Sequence, residues 1–269
     1  MDRRSGNISP MPIEDSAEAE RLKDVPSVLR RSVDLLRCFD VDADTLSVSE
    51  LVERSGLPRS SVHRLAMDLV TLGFLTRSSR ARYSIGALMF ELGHVSLIHS
   101  RLRTLAQVHM TRLYDASGEN VFLGVLSSDL PEFAAMLNVG QVRGPRSVTT
   151  SEREGARSPL LSTALGRALV SVQSDEWVEG FLQKAKRDAA ADLANAEDPA
   201  DAIQFVRENG YAKIFSETTV SLATPIPSSD SAPNAALGIV AARERWDEHR
   251  LVPLLKTTAL AVAKNIARK

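Results

Sequence analysis

The sequence has a single cysteine, Cys38, among 269 residues. One thiol excludes a disulfide framework and a cysteine-based zinc site within the chain, and it fits a reducing cytoplasm. No apolar run reaches about 18 residues, so no membrane span is expected. The first residues lack the apolar stretch of a signal peptide, so none is expected. An excess of charge is also lacking: 33 Lys and Arg oppose 34 Asp and Glu, for a formal net charge of −1. That excludes a generally basic nucleic-acid coat but not a local basic patch. No phosphate-cradling glycine loop or dinucleotide fingerprint is present. The remaining composition, 43% hydrophobic and 25% charged, is that of a globular protein with a packed core. At about 150 residues per domain, the length suggests two domains or one large one.

Residues 1–24 are polar and acidic, with Pro10 and Pro12, and read as a mobile tail. A short helix packed on a partner subunit is the alternative. From Val25 a helix is expected, with Val28, Leu35, Leu36 and Phe39 on one side and an end near Phe39. Ser47 and Glu50 have the spacing of a capping box, and Leu46 and Leu51 that of a hydrophobic staple. The short helix they open stops at Ser55-Gly56. Pro58 fits the first position of a third helix. There Val62, Leu65, Ala66, Leu69 and Val70 form a core-facing stripe, with Ser60, Arg64, Met67 and Thr71 opposite. Gly73 ends it. Phe74-Leu75-Thr76 and Tyr83-Ser84-Ile85 then read as a hairpin with the basic tip Arg77–Arg82.

Residues 87–100 read as a linker helix between a domain over 25–86 and a second over 101–269. In the second, a helix is expected at 101–117. Strands are expected at 120–126, 133–139, 145–150, 211–216, 220–226 and 235–242. Further helices are expected at 162–172, 175–187, 198–209 and 247–268, the last kinked by Pro253. Without regular βαβ alternation this implies an α+β fold with a mainly antiparallel sheet.

Three short helices and a hairpin make a winged helix-turn-helix. Between residues 54 and 82 stand six arginines (Arg54, Arg59, Arg64, Arg77, Arg80 and Arg82) against one acid, Asp68. Such a patch in a neutral chain points to double-stranded DNA. The start of the third helix, with Arg59, Ser60, Ser61 and Arg64, is the end that reaches base edges and phosphates in a major groove. The arginine-rich hairpin tip fits the backbone or the minor groove. A protein-interaction module with solvated arginines is the other reading.

The segment Gly56-Leu57-Pro58-Arg59-Ser60-Ser61-Val62-His63-Arg64-Leu65 resembles the DNA-binding domain of IclR-type transcriptional regulators. So do Leu72-Gly73-Phe74-Leu75 and Arg82-Tyr83-Ser84-Ile85-Gly86. The likeness continues through Leu92-Gly93, Gly118–Leu123, Thr163–Leu169 and Arg207–Ala212, in order across about residues 26–268. The resemblance implies a winged helix, a linker helix and a GAF-like effector domain, assembled as dimers or tetramers on near-palindromic operators. It assigns operator reading to Arg59, Ser60, Ser61, His63 and Arg64.

The resemblance also implies a cup for small organic acids at one end of the sheet. Its positions fall on Ala164, Leu165 and Gly166 at a helix start, and on Ile214 where an acidic residue is common. Leu222 falls near the family's cysteine, and Gly238 and Val240 fall at its Ser-x-Ser. A cup lined by Leu165, Ile214, Leu222 and Val240 would reject small, highly charged acids, because a buried carboxylate without donors is costly. The expected effector is then a rather apolar or aromatic metabolite; plain sheet core is the alternative. Arg143 and Arg146 either attract an acidic ligand or are solvated. Trp177 and Trp246 read as packing residues.

The five histidines have no metal-ligand spacing, and Ser158, Ser162 and Thr163 lack a base or a nucleophile elbow. No metal, cofactor or catalysis is expected. The sequence therefore describes a cytoplasmic, homo-oligomeric DNA-binding regulator, more in keeping with a repressor than an activator, with a small-molecule effector. The alternative is a ligand-independent regulator whose second domain only assembles the oligomer.

Overall fold

The structure, a computed structural model, describes residues 25–40, 43–95, 97–150, 152–188, 198–227 and 234–267. The expected tail at 1–24 lies outside these residues. The chain divides into two compact units, one up to Ser96 and one from Leu97.

The first unit contains α1 (Ser27–Leu36), β1 (Thr45–Ser47), α2 (Val48–Ser55), α3 (Arg59–Thr71), β2 (Leu75–Arg77), β3 (Arg82–Ile85) and α4 (Ala87–Val95). The strands form an antiparallel sheet in the order β1-β3-β2. Leu35, Leu51, Val62, Leu65, Leu75 and Tyr83 fill the core beneath it. The capping box is present: Glu50 N–H donates to Ser47 Oγ at 3.3 Å, and Ser47 N–H donates to the Glu50 carboxylate at 2.7 Å. Gly56 closes α2 with a left-handed φ of 67°, which needs no side chain to be accommodated. Helix α1 ends at Leu36 rather than Phe39, because Cys38 and Phe39 turn to three-residue hydrogen bonds on Leu35 and Leu36. Val28 is exposed rather than packed with Leu35. Pro58 caps α3 from outside instead of occupying its first position. β1 was not expected; three residues are too short for a periodicity.

The second unit opens with α5 (Leu97–Ser117), which begins before the boundary at 100–101 that the sequence suggests. It continues as β4 (Asn120–Leu126), β5 (Met136–Val142), β6 (Arg157–Ser158), α6 (Ala164–Ser171), α7 (Asp175–Asp188), α8 (Pro199–Asn209), β7 (Ala212–Phe215), β8 (Thr219–Ile226), β9 (Ala235–Ala242) and α9 (Glu248–Ala267). The antiparallel sheet runs β6-β5-β4-β9-β8-β7. One face packs on α5 and α9 through Met110, Leu113, Leu123, Leu237, Leu251 and Leu255. The other packs on α6, α7 and α8 through Phe122, Ala164, Leu169, Phe181, Ile203 and Val206. The central strands β4 and β9 are covered on both faces, which explains their unbroken apolar sequence.

The strand expected at 145–150 is absent. Gly144 N–H donates to Ser147 Oγ at 2.8 Å and closes a turn through Pro145. The Val148 carbonyl accepts from Asn120 Nδ2 at 2.7 Å instead of joining a ladder. The strand expected at 133–139 begins at Met136, after a single tight turn at Pro131–Phe133.

Candidate functional site

In the first unit, Val62, Leu65, Ala66 and Leu69 anchor α3 to the core and turn its opposite side outward. Arg59, Ser60, His63 and Arg64 are exposed on that side, and Ser61 is half-buried. Arg59 donates to Ser49 Oγ at 3.1 Å, which lays its stem along α2. The Arg77 guanidinium sits 5.9 Å from the Tyr83 ring centroid and 3.9 Å from Met67 Sδ of α3. Arg80 stands exposed at the hairpin tip, beside Ala81, whose positive φ of 56° makes the turn.

Two arginines of the basic patch form ion pairs within the unit while staying partly exposed. Arg54 donates to the Cys38 carbonyl at 2.8 Å and pairs with Asp40 at 3.0 Å, tying α2 to the end of α1. Arg82 donates to the Thr45 carbonyl at 2.6 Å and pairs with Glu50 at 3.2 Å. Arg82, expected on the DNA, lies beside the capping box with its side chain 40% exposed. The Ser47 hydroxyl and backbone N–H, with Arg82 beside them, hold the Glu50 carboxyl down at about 2. Arg59, Arg64, Arg77 and Arg80 are exposed and form no ion pair with a described residue.

In the second unit, a small, open cavity of about 60 Å³ lies between the sheet and the start of α6. Ala164, Leu165, Leu222, Gly238 and Val240 line it, as the resemblance implies, but Ile214 and Gly166 do not. Ile214 packs against the helix-covered core. Gly166 is glycine for packing, since a Cβ there would lie 2.1 Å from the Leu160 carbonyl oxygen. Leu222 reaches the cavity while its side chain belongs to the α5–α9 face. Its neighbour Ser221, paired with Val240, faces the cavity instead, because successive strand residues point to opposite faces.

The cup is therefore not the wholly apolar one expected from Leu165, Ile214, Leu222 and Val240. Phe122, Leu165 and Val240 give it an apolar wall, and Glu152, Ser162, Thr163 and Ser221 add polar groups. Phe122 pairs with Gly238, and Ser221 with Val240, so the register brings these four positions together. A sequence pattern alone carries no such register. Gly238 lets Leu165 pack closely on the floor: a Cβ there would sit 3.0 Å from Leu165 Cδ2 and 3.1 Å from the Leu222 carbonyl oxygen.

Helix α6 turns its N-terminus to this cavity. Thr163 caps it, its Oγ1 accepting from Gly166 N–H and its carbonyl from Arg167 N–H, both at 3.0 Å. The N–H groups of Ala164 and Leu165 have no acceptor among the described residues. Such a helix end favours an acceptor oxygen or an anion. Beside the cavity, Arg143 donates to Thr150 Oγ1 at 2.8 Å and to the Glu152 carbonyl, with its guanidinium 5.5 Å from the Phe122 ring centroid. It thus braces Thr150 and Glu152 instead of standing free. Arg146 lies against Gly118, and its carbonyl accepts from Arg245 at 3.0 Å. Burial pushes the Glu152 carboxyl above the usual carboxylate range, with Arg143 acting in the opposite sense. Among the described residues no group of three or more His, Cys, Asp or Glu could hold a metal ion, and no helix is long and apolar enough to cross a membrane.

Comparison with known proteins gives a consistent picture. A family model described as the IclR helix-turn-helix domain matches residues 28–79, and one described as bacterial transcriptional regulator IclR C-terminal matches residues 94–268. The chain is 28% identical over 245 residues to the HTH-type transcriptional regulator KipR of Bacillus subtilis, covering 89% of this chain and 95% of that protein. It is 30% identical over 247 residues to the glycerol operon regulatory protein of Streptomyces coelicolor, covering 89% and 94%. Among solved structures, an IclR homolog from Microbacterium hydrocarbonoxydans complexed with 4-hydroxybenzoate is similar at a TM-score of 0.74 and 22% identity, over 90% of this chain and 100% of that one.

Proposed function

The chain belongs to the IclR family of bacterial transcriptional regulators, with that family's helix-turn-helix DNA-binding domain, and on this premise we propose that it is a cytoplasmic repressor that holds a near-palindromic operator until a small effector enters the cavity of its second unit. Its relatives are named as transcriptional regulators, which supports reading it as a regulator rather than an enzyme.

The observation that carries the reading is the outward edge of α3. Arg59, Ser60, His63 and Arg64 stand exposed above a helix locked by Val62, Leu65 and Leu69. In a major groove this edge would meet bases and phosphates, with Ser61 close to the backbone and Arg77 and Arg80 flanking it from the hairpin. Arg82 acts indirectly, by holding the hairpin to Thr45 and Glu50.

Reading a near-palindrome takes a homodimer, or two such dimers in a tetramer. Leu29 and Val33 of α1 are exposed, as are Phe90, Leu92 and Val95 of α4, with Phe90 73% and Val95 77% accessible. Apolar surface of that extent supports coverage by a second copy. The cavity supports a compact effector with an apolar or aromatic body. Its acceptor oxygen would sit on the Ala164 and Leu165 N–H groups, and its body against Phe122, Leu165 and Val240. The 4-hydroxybenzoate complex of the solved relative agrees with an effector of this kind. Binding would release the operator by changing subunit geometry and hence half-site spacing.

A mobility-shift titration with the DNA upstream of the protein's own gene, at two salt concentrations, tests the proposal. The expected result is a specific complex that weakens with salt and is released by one member of a metabolite library. Folded protein that shifts no DNA at low salt, with or without the library, would refute it.

A further inference from the structure

Glu152 is a cavity residue for which neither the sequence motifs nor the helix start of α6 gives a reason. It lines the cavity with Phe122, Ser221 and Leu165. Its carboxylate makes no hydrogen bond or ion pair with a described residue. Arg143, the cation near it, binds the Glu152 backbone carbonyl and Thr150 Oγ1. The guanidinium therefore fixes the position of Glu152 and leaves the carboxyl oxygens unused. The Ser221 hydroxyl, on the same wall, also has no partner among the described residues. A carboxyl drawn partly out of water with no donor is unfavourable, and the shift of its pKa upward reflects that. The wall is thus short of a donor at one place and, at the α6 N-terminus, short of an acceptor at another.

Building on the effector reading above, we propose that Glu152 is a specificity-determining residue of the cavity, whose carboxyl accepts a hydrogen bond from a hydroxyl or ammonium group on the effector. The effector is then a carboxylic acid with a second, donating group. Its carboxylate sits on the free N–H groups of α6 and its donor meets Glu152. An acid without the donor leaves the Glu152 carboxyl desolvated and unpaired, and is discriminated against for that reason.

Two series with the same head and different bulk serve as probes: propanoate, lactate and alanine, and 3-phenylpropanoate, 3-phenyllactate and phenylalanine. Binding to the full-length protein is measured by calorimetric titration, together with a wider metabolite screen by thermal shift. The hydroxy or amino acid of the series that fits should bind about tenfold or more tightly than the unsubstituted acid. Glu152→Ala should erase that preference. Glu152→Gln, whose amide oxygen still accepts, should keep the hydroxy acid and lose the amino acid. Ligand-free melting of both variants reports their folding. The proposal is overturned if the unsubstituted acid binds as tightly, if the preference survives Glu152→Ala, or if the screen yields an effector with no donor. If the screen yields a donor-bearing effector from outside the two series, loss of its binding in Glu152→Ala supports the proposal and retention overturns it. A protein that shifts its DNA but binds nothing in the screen would instead overturn the effector reading, and this proposal with it.

Discussion

Replacing Arg245 with methionine should destabilise the second unit by several kcal/mol. Glu119, just before β4, is 1% exposed. Its two carboxylate oxygens accept from Arg245 Nε and Nη2, both at 2.7 Å. The same guanidinium donates to the Arg146 carbonyl at 3.0 Å, so the pair also holds the loop that leads to Thr150 and Glu152. Removing one partner of a fully buried pair costs about 3–5 kcal/mol, chiefly because the other charge is left unpaired. Arg245 is 44% exposed, so part of the interaction is screened and about 2–4 kcal/mol is the better figure. For a unit of this size that is a fall in melting temperature of roughly 5–15 °C. The double variant Glu119→Leu/Arg245→Met removes both charges and should recover much of the loss. Differential scanning calorimetry on the single and double variants reads both effects. A single variant within about 0.5 kcal/mol of the parent, or a double variant less stable than the single, would refute the reasoning.

Three other substitutions probe the account. Arg64→Ala should weaken operator binding by about 1–3 kcal/mol in an anisotropy titration if Arg64 contacts a base, with melting unchanged because its side chain is exposed. Glu50→Gln should destabilise the first unit at neutral pH. The Glu50 carboxyl is held at about 2, so its contribution is complete above the ordinary carboxylate range and is lost as the pH falls toward 2, and parent and variant should converge there in acid melts. Gly238→Ala should press on Leu165 and the Leu222 carbonyl at the cavity floor and weaken effector release in a mobility shift, with a melting curve of the variant reporting the strain on the sheet.

Much of this architecture is legible in the sequence for physical reasons. β4 and β9 read as unbroken apolar runs because both their faces are covered. α3 reads cleanly because its stripe repeats at helical spacing above a capped, glycine-punctuated neighbour. What is not legible depends on contacts distant in sequence. Leu222 lines the cavity while its side chain packs on the opposite face, and because one residue reverses the face in a strand, Ser221 lines it as well, which the alignment does not show. The contacts of Arg82 with Thr45 and Glu50 are likewise illegible, because β1, itself too short to foresee, brings them to it. Glu152 gives no local signal, because only the folded sheet brings it to Phe122 and Ser221.

The central claim is that α3 reads a two-fold operator. The most direct measurement is a protection footprint of the protein on its own upstream DNA, with Arg64→Ala in parallel. The account predicts two symmetry-related protected half-sites, centred about one helical turn (~34 Å) or a multiple apart, fading together in the variant. A single unpaired or diffuse footprint, or a footprint unaffected by Arg64→Ala, would contradict it.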